Sequence, residues 1–466
     1  MVFSSTVFLF AFLPVVLIGY YLIQKRFRNA FLLVMSLIFY AWGEPSFVVV
    51  MVISILVNYL VGLLIGKSEK QWLRRAALLV GIGVNMGILF YNKYFDFAIA
   101  NINAVFHTGF ALRRIVLPIG ISFFTFQGMS YVFDVYLKKA AYQKNPLHVA
   151  LYVALFPQLI AGPIVRYVDI EQQITQRQET LSDFKDGAVR FAVGLCKKIV
   201  LSNNAARLAD LAFETETAQL GPGLAWLGAL AYALQIYFDF SGYSDMAIGL
   251  GRMFGFRFLE NFDYPYVATS VTVFWRKWHI SLSSWFRDYV YIPMGGNRKG
   301  NVYFHLLIVF FLTGLWHGAQ WNFVAWGLWH GGFLILERLN RKSGRLERIP
   351  SGVRWLYTML VVLVGWVFFR APGLKASLRY LGAMVGFGGR DSISTIYLLQ
   401  DYAVTLILAA VCALPIVPRC KRLLESKAHG AQALDCIGMV AGALLLLVGI
   451  AYTVSSTYNP FIYFNF

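Results

Sequence analysis

An all-α polytopic membrane protein is the fold class this sequence predicts, on three observations. Apolar runs of about 17 to 25 residues, enough for a helix to cross ~30 Å of hydrocarbon, recur from one end of the chain to the other. The composition agrees: 58% of residues are hydrophobic, only 14% are charged, and the mean hydropathy is +0.61, far from the usual mixture of a soluble domain. The runs are continuously apolar rather than alternating, which excludes a transmembrane β-barrel.

The predicted membrane segments run over 6–23, 29–43, 47–66, 76–98, 115–136, 147–164, 187–204, 223–254, 302–316, 320–337, 352–370, 397–417 and 434–456. They amount to about 11 to 13 crossings plus re-entrant or interfacial helices. The whole chain reads as one integral-membrane domain, with peripheral helices over 1–110, a core over 115–340 and C-terminal helices over 350–466. The first segment has no basic region before it and no small-residue cleavage site after it, so it is expected to be a retained helix rather than a signal peptide.

The net charge of +18 would suggest nucleic acid in a soluble protein. Here the Lys and Arg residues fall in short loops between apolar runs, and topology explains them without a nucleic-acid partner. KRFR, KSEKQWLRR and KKAAYQK follow the first, third and fifth segments, whereas GEPS after the second carries no base. The positive-inside rule then predicts an outside N-terminus, although Arg113 and Arg114 argue against it. It also places the basic stretch 418–429 inside and the tail SSTYNPFIYFNF outside. Cys196, Cys412, Cys420 and Cys436 have neither CxxC spacing nor an obvious pairing, so ordinary thiols are expected.

Within 223–254, Asp239 and Asp245 sit far from either end of an apolar run, where an unpaired carboxylate is costly. Asp245 and Arg252 lie nearly two turns apart on one helical face, so a bridge between them, direct or through water, is one expectation and a polar cavity the other.

Segment 271–294, VTVFWRKWHISLSSWFRDYVYIPM, is too charged to span. Turned through 100° per residue, Trp275, Trp278, Leu282, Trp285, Phe286 and Tyr289 fall within an arc of about 120°, opposite Arg276, Lys277, Ser283, Ser284, Arg287 and Asp288. The pattern predicts an interfacial or re-entrant helix. His279 lies in the aromatic arc, where it either bonds a backbone carbonyl or serves a site. The following GGNRKG reads first as a polar turn; Arg276, Lys277, Arg287 and Arg298 are the candidate contacts for an anionic donor.

His317 and His330 lie in LTGLWHGAQWNFVAWGLWHGG, thirteen positions and about 140° apart on an unbroken helix. Gly318, Gln320 and Asn322 predict a break near 318–322, and irregular backbone at membrane depth has to line a cavity or be buried in protein. His317 would stand at that break and His330 well inside the next helix. A neutral imidazole there can take a proton from a hydroxyl, which makes His317 the leading candidate base. His107, His148, His305 and His429 read as structural or solvated. No GxSxG nucleophile and no HExxH or acidic cluster accompanies the histidines, so neither a serine mechanism nor a metal is expected.

QIYFDFSGYSDMAIGLGRMFGF (235–256), NFDYPYVATSVTVFWRKWHISLSSWFRDYVYIPMGG (261–296) and GLWHGAQWNFVAWGLWHG (314–331) together resemble the membrane-bound O-acyltransferase family. More narrowly the chain resembles the bacterial branch that serves alginate, cellulose, peptidoglycan and teichoic acid, a likeness that extends to the opening MVFSSTVFLFAFLPVVLIGYYLI and the closing YNPFIYFNF. The resemblance implies a ring of helices thinned around a central tunnel, with His317 as the signature active-site histidine and His279 as its second polar residue. It implies supporting positions at His330, Asn322, Trp316, Asp288, Tyr243 and Asp245.

By the same resemblance the donor is a cytoplasmic acetyl thioester, most simply acetyl-CoA, with no permanently bound cofactor. The acceptor is a periplasmic protein that passes the acetyl group to an exported polysaccharide, cellulose or alginate, and the location is the bacterial inner membrane. The rival expectations are a transporter or flippase of a lipid-linked glycan using Asp239 and Asp245 as a proton relay, and the same fold acylating a lipid or peptide.

Overall fold

The computed structural model describes residues 1–341, 344–426 and 430–462 and is helical throughout, with no strand among the described residues. The predicted segments at 427–429 and 463–466, including His429 and the last four residues of the tail, lie outside them. In chain order the main helices are α1 (Leu13–Leu22), α2 (Arg28–Gly43), α3 (Val48–Lys67), α4 (Gln71–Leu89), α5 (Ile121–Tyr136), α6 (Pro146–Ala154), α7 (Tyr167–Gln176), α8 (Leu181–Cys196), α9 (Asn203–Glu214), α10 (Pro222–Met253), α11 (Val271–Lys277), α12 (Ile280–Phe286), α13 (Val302–His317), α14 (Trp321–Arg341), α15 (Ser351–Arg370), α16 (Leu374–Met384), α17 (Ala403–Cys412) and α18 (Gly430–Ser455).

Each predicted segment overlaps one of these helices. By length and composition, four helices among the described residues are long and apolar enough to cross a bilayer: Pro45–Lys67, Gln71–Phe106, Ser351–Arg370 and Ala431–Ser455. A fifth span forms if Thr395–Asp401 and α17, bent by 67° at their junction, are taken together. Val302–His317 is apolar but short; its 16 residues reach ~24 Å, less than the ~30 Å of a hydrocarbon core. Many large apolar side chains face outward, among them Leu22, Phe106, Leu79 and Val440, as a surface solvated by acyl chains requires.

The chain forms two compact units, Met1–Phe191 with Met246–Leu259, and Ala192–Asp245 with the chain from Glu260 onward. In the first, Phe3, Phe8, Phe12, Phe39 and Phe156 make an aromatic core, with Phe12 edge-on to Phe156 at 5.4 Å. Apolar packing alone holds membrane helices weakly, because lipid is as apolar as the partner helix, so polar pins add specificity. Between α3 and α4, Asn58 Nδ2 donates to Asn85 Oδ1 at 3.1 Å and Asn85 Nδ2 donates back to Asn58 Oδ1 at 2.9 Å, both residues being buried.

In the second unit the two acids of α10, buried Asp239 and half-buried Asp245, find lysines. Lys198 Nζ lies 2.7 Å from Asp239 Oδ1 with both side chains almost fully enclosed, and Asp239 Oδ2 also accepts from the Ile462 N–H at 2.9 Å. Asp245 pairs with Lys197 at 2.6 Å. The expected bridge between Asp245 and Arg252 is therefore corrected: Arg252 pairs with Asp186 at 3.3 Å. Sharing a helical face brings two side chains within reach, but adjacent lysines at the π-helical turn Lys197–Ser202 reach both carboxylates of α10.

Close approach of α13 and α14 depends on glycines facing each other. A Cβ added at Gly327 would lie 2.2 Å from the Phe310 carbonyl oxygen, and one at Gly314 would lie 2.4 Å from that of Phe323. Gly332 on the same helix has open space around its Cβ position. Gly327→Val is expected to destabilise the protein by about 1–3 kcal/mol or more, because backbone rather than a flexible side chain has to move. Gly332→Ala should leave stability equal or slightly raised. Thermal unfolding in detergent measures both; equal midpoints for the two variants would refute the glycine-dependent contact.

Candidate active site

The predicted single helix over 271–294 is in fact broken, and it breaks at the histidine. α11 ends at Lys277, Trp278 is extended, His279 has φ +45° in the left-handed region, and α12 starts at Ile280 before a π-helical turn at Arg287–Tyr291. The aromatic arc read from a continuous helix is nonetheless buried in full. A left-handed non-glycine residue costs of the order of 1–3 kcal/mol and persists where its surroundings over-determine it.

Those surroundings are the segment 261–263. The Ile280 N–H donates to the Asn261 carbonyl at 2.9 Å, and the Asp263 N–H donates to the Lys277 carbonyl at 3.0 Å, so the backbone groups exposed by the break are satisfied. The start of α11 is closed by Glu337 of α14, whose carboxylate accepts from the Val271 N–H at 2.6 Å, the Thr272 N–H at 2.9 Å and the Thr272 hydroxyl at 2.5 Å. Ser270 caps the same turn through the Val273 N–H.

The same segment orients the imidazole. Asn261 Oδ1 lies 3.1 Å from His279 Nδ1 and accepts from the Ser281 N–H at 3.2 Å and the Ser281 hydroxyl at 2.9 Å. A backbone N–H can only donate, so the atom facing it is the amide oxygen. His279 Nδ1 therefore carries the hydrogen, and the neutral ring presents its lone pair at Nε2. That nitrogen is buried and has no hydrogen-bond partner among the described residues. Asn261 Nδ2 is anchored in turn on the Ser244 hydroxyl of α10 at 3.0 Å. Phe240 stands edge-on to the ring at 4.5 Å.

His317 is the last residue of α13, and extended Gly318 follows it, so the break predicted near 318–322 begins directly after the histidine. His317 is buried among rings: Trp316 at 4.9 Å, Trp326 at 4.9 Å and Phe369 at 5.0 Å, all near perpendicular. Trp316 also lies 6.1 Å from His279, so the two imidazoles are separated by no more than one indole and its contacts. His330, inside α14 as expected, packs edge-on to Trp275 at 5.0 Å and to Trp326 at 5.3 Å. Neither of its nitrogens has a hydrogen-bond partner among the described residues. His279, His317 and His330 are thus joined through two tryptophans, Trp316 and Trp326.

The other predicted positions divide. Trp316 is the shared wall. Asn322 Nδ2 donates to the carbonyls of Phe368 at 3.1 Å and Ala371 at 3.0 Å, closing the end of α15 that carries Phe369. Tyr243 is buried against Phe461 at 5.1 Å, and Asp245 is held by Lys197. Asp288 makes a two-point contact with its neighbour Arg287, at 2.7 and 3.1 Å. Lys277 pairs with Asp263 at 2.7 Å; Arg298 is exposed on its loop, and Arg276 lines a cavity of about 400 Å³. His305 is buried with Nδ1 at 3.1 Å from the Gly296 carbonyl. Asn261, Ser281 and Glu337 were missed by the sequence reading. The only available signal was their polar character beside apolar motifs.

Residues 90–378, more than half the chain, match the model of the membrane-bound O-acyltransferase family. The chain is 43% identical over 495 residues to the probable alginate O-acetylase of Pseudomonas putida, covering all of both proteins. It is 34% identical over 515 residues to the peptidoglycan O-acetyltransferase of Helicobacter pylori, covering 100% of this chain and 98% of that one. A teichoic acid D-alanyltransferase of Bacillus subtilis is 30% identical over 273 residues, 54% of this chain and 66% of its own. An all-helical fold rich in apolar helices and a match of this extent have one reading: the chain belongs to the membrane-bound O-acyltransferase family and is an O-acyltransferase.

Proposed function

We propose that the protein moves an acetyl group from a cytoplasmic thioester, most simply acetyl-CoA, across the bacterial inner membrane for O-acetylation of an exported polysaccharide. Alginate is favoured over cellulose by full-length relatives that are probable alginate O-acetylases. A periplasmic protein is the immediate acceptor, the N-terminus faces the periplasm, and residues 115–340 form the core around a central tunnel.

The observation that carries the reading is the placement of two imidazoles at helix breaks against one indole, Trp316, with the nearer atoms of His279 fixed by Asn261. In the proposed reaction His317 takes the proton of the acceptor hydroxyl as its oxygen attacks the thioester carbonyl carbon. The C–S bond then breaks, and the departing thiolate takes that proton back from the imidazolium. His279 accepts a hydrogen bond at Nε2 from a donor group on the acceptor and so orients it. A neutral ring anchored at Nδ1 suits this role better than stabilisation of an oxyanion, which would need a proton on Nε2. The enclosing rings exclude water and strengthen each polar contact.

His317→Ala is expected to abolish acetylation of the exported polymer, a loss of about 10²–10⁴-fold or more, with protein level and polymer secretion unchanged. A parallel fall in secretion would favour transport over acyl transfer. His279→Ala should be comparably severe and His305→Ala mild; equal losses in all three would remove the distinction between site and packing.

Asn261 is proposed as a positioning residue. Asn261→Leu removes the acceptor that fixes the tautomer and should cost about 10–100-fold, by analogy with the loss of an orienting partner of a metal-bound histidine. Asn261→Asp keeps the acceptor oxygen and should retain most activity. Initial rates of acetyl transfer across pH test this, and equal losses in the two variants would sink the tautomer argument.

A further inference from the structure

We infer that the cavity at the far end of α14 is a binding site for a phosphate-bearing ligand, held by the guanidinium groups of Arg276, Arg338, Arg341 and Arg354. The cavity measures about 400 Å³, and these four arginines line it together with Thr272 and Asn297. They come from three elements: α11, the last turn of α14 and the first turn of α15.

Elsewhere in the chain several arginines are paired. Arg28, Arg166, Arg252, Arg287 and Arg370 each have a carboxylate oxygen within 3.3 Å. The four around the cavity have none among the described residues, and Arg354 Nε is buried without a hydrogen-bond partner. Two acids also line the cavity and offset part of this charge, leaving the arginines in excess by four to two. Glu337 is buried and committed to the three donors at the start of α11, and Glu347 is exposed.

Like charges brought around one concavity repel unless an anion joins them. Guanidinium forks match the oxygens of phosphate, several of which can be engaged at once. The cavity lies where the apolar span Ser351–Arg370 begins, the level at which headgroups meet water. Phosphate at that level comes from an anionic lipid headgroup or from a nucleotide-type donor entering from the aqueous side. Arg276 faces the cavity while its neighbour Trp275 packs on Trp326 and His330. An occupant therefore braces α11, the helix whose break carries His279.

The binding claim stands apart from the catalytic reading, and its test uses the full-length protein in a neutral detergent. Coenzyme A is titrated by calorimetry, and phosphatidylglycerol is compared with phosphatidylcholine by native mass spectrometry. The Arg338→Gln/Arg354→Gln double variant and the exposed single variant Arg276→Gln are compared with wild type, each checked by thermal unfolding. One of the two phosphate probes should bind wild type, weaken as salt is raised, and lose at least about tenfold in affinity in the double variant.

Loss of coenzyme A binding names the donor as the source, and loss of phosphatidylglycerol retention names the lipid. His317→Ala should bind both probes as wild type does, which separates this claim from catalysis. If the double variant fails to fold, Arg276→Gln decides alone. Neither probe binding wild type, or binding unchanged in folded variants, overturns the proposal.

Discussion

A backbone that leaves the helix inside an apolar medium has to find its hydrogen bonds within the protein, and the site depends on how that demand is met. At Trp278 and His279 it is met by the segment 261–263, which supplies the Asn261 carbonyl on one side of the break and the Asp263 N–H on the other. Without this pairing the left-handed conformation of His279 would have no support, and a continuous helix would carry the ring elsewhere. One pairing thus fixes the break, the backbone angle and, through the Asn261 side chain, the tautomer.

The same demand explains how the remaining acids of the interior are used. Buried Asp239 and Glu337 and half-buried Asp245 would each be costly alone, and each is engaged by a named partner: Lys198, the first turn of α11 and Lys197. Such pairs contribute less to net stability than their distances suggest, because desolvation offsets the attraction. What they do is select one arrangement of α10, α11 and α14. The aspartates on which a proton relay would draw are tied to lysines, whereas Nε2 of His279 is buried with no hydrogen-bond partner among the described residues.

Much of this was legible in the sequence, because it follows from local composition. Apolar runs found the helices, and the cluster Gly318, Gln320, Asn322 found the end of α13 at His317. His305 could be set aside because no polar cluster surrounded it. The break at His279 was not legible: no glycine or proline marks Trp278–His279, and a helical wheel assumes continuity. Its cause lies in Asn261 and Asp263, a pairing between segments rather than a property of either. The partner of Asp245 was hidden for the same reason. Arg252 shares its helical face, but Lys197 comes from 48 positions away on another helix.

The contrast between His279 and His330 shows what a helix break adds. Both rings are buried in aromatic shells, yet His330 lies in mid-helix, where every neighbouring N–H is already used, and its imidazole fills the notch opposite Gly365, whose Cβ position would lie 2.3 Å from Nε2. Packing holds that ring in place but leaves both of its nitrogens without partners among the described residues. At His279 the break frees backbone donors and brings Asn261 alongside, so one nitrogen is anchored and the other is aimed. A group that handles a proton needs this asymmetry, since a ring with neither nitrogen fixed has no preferred tautomer to present. Helix breaks are therefore where an imidazole can be both desolvated and oriented, and His279 and His317 each stand at one.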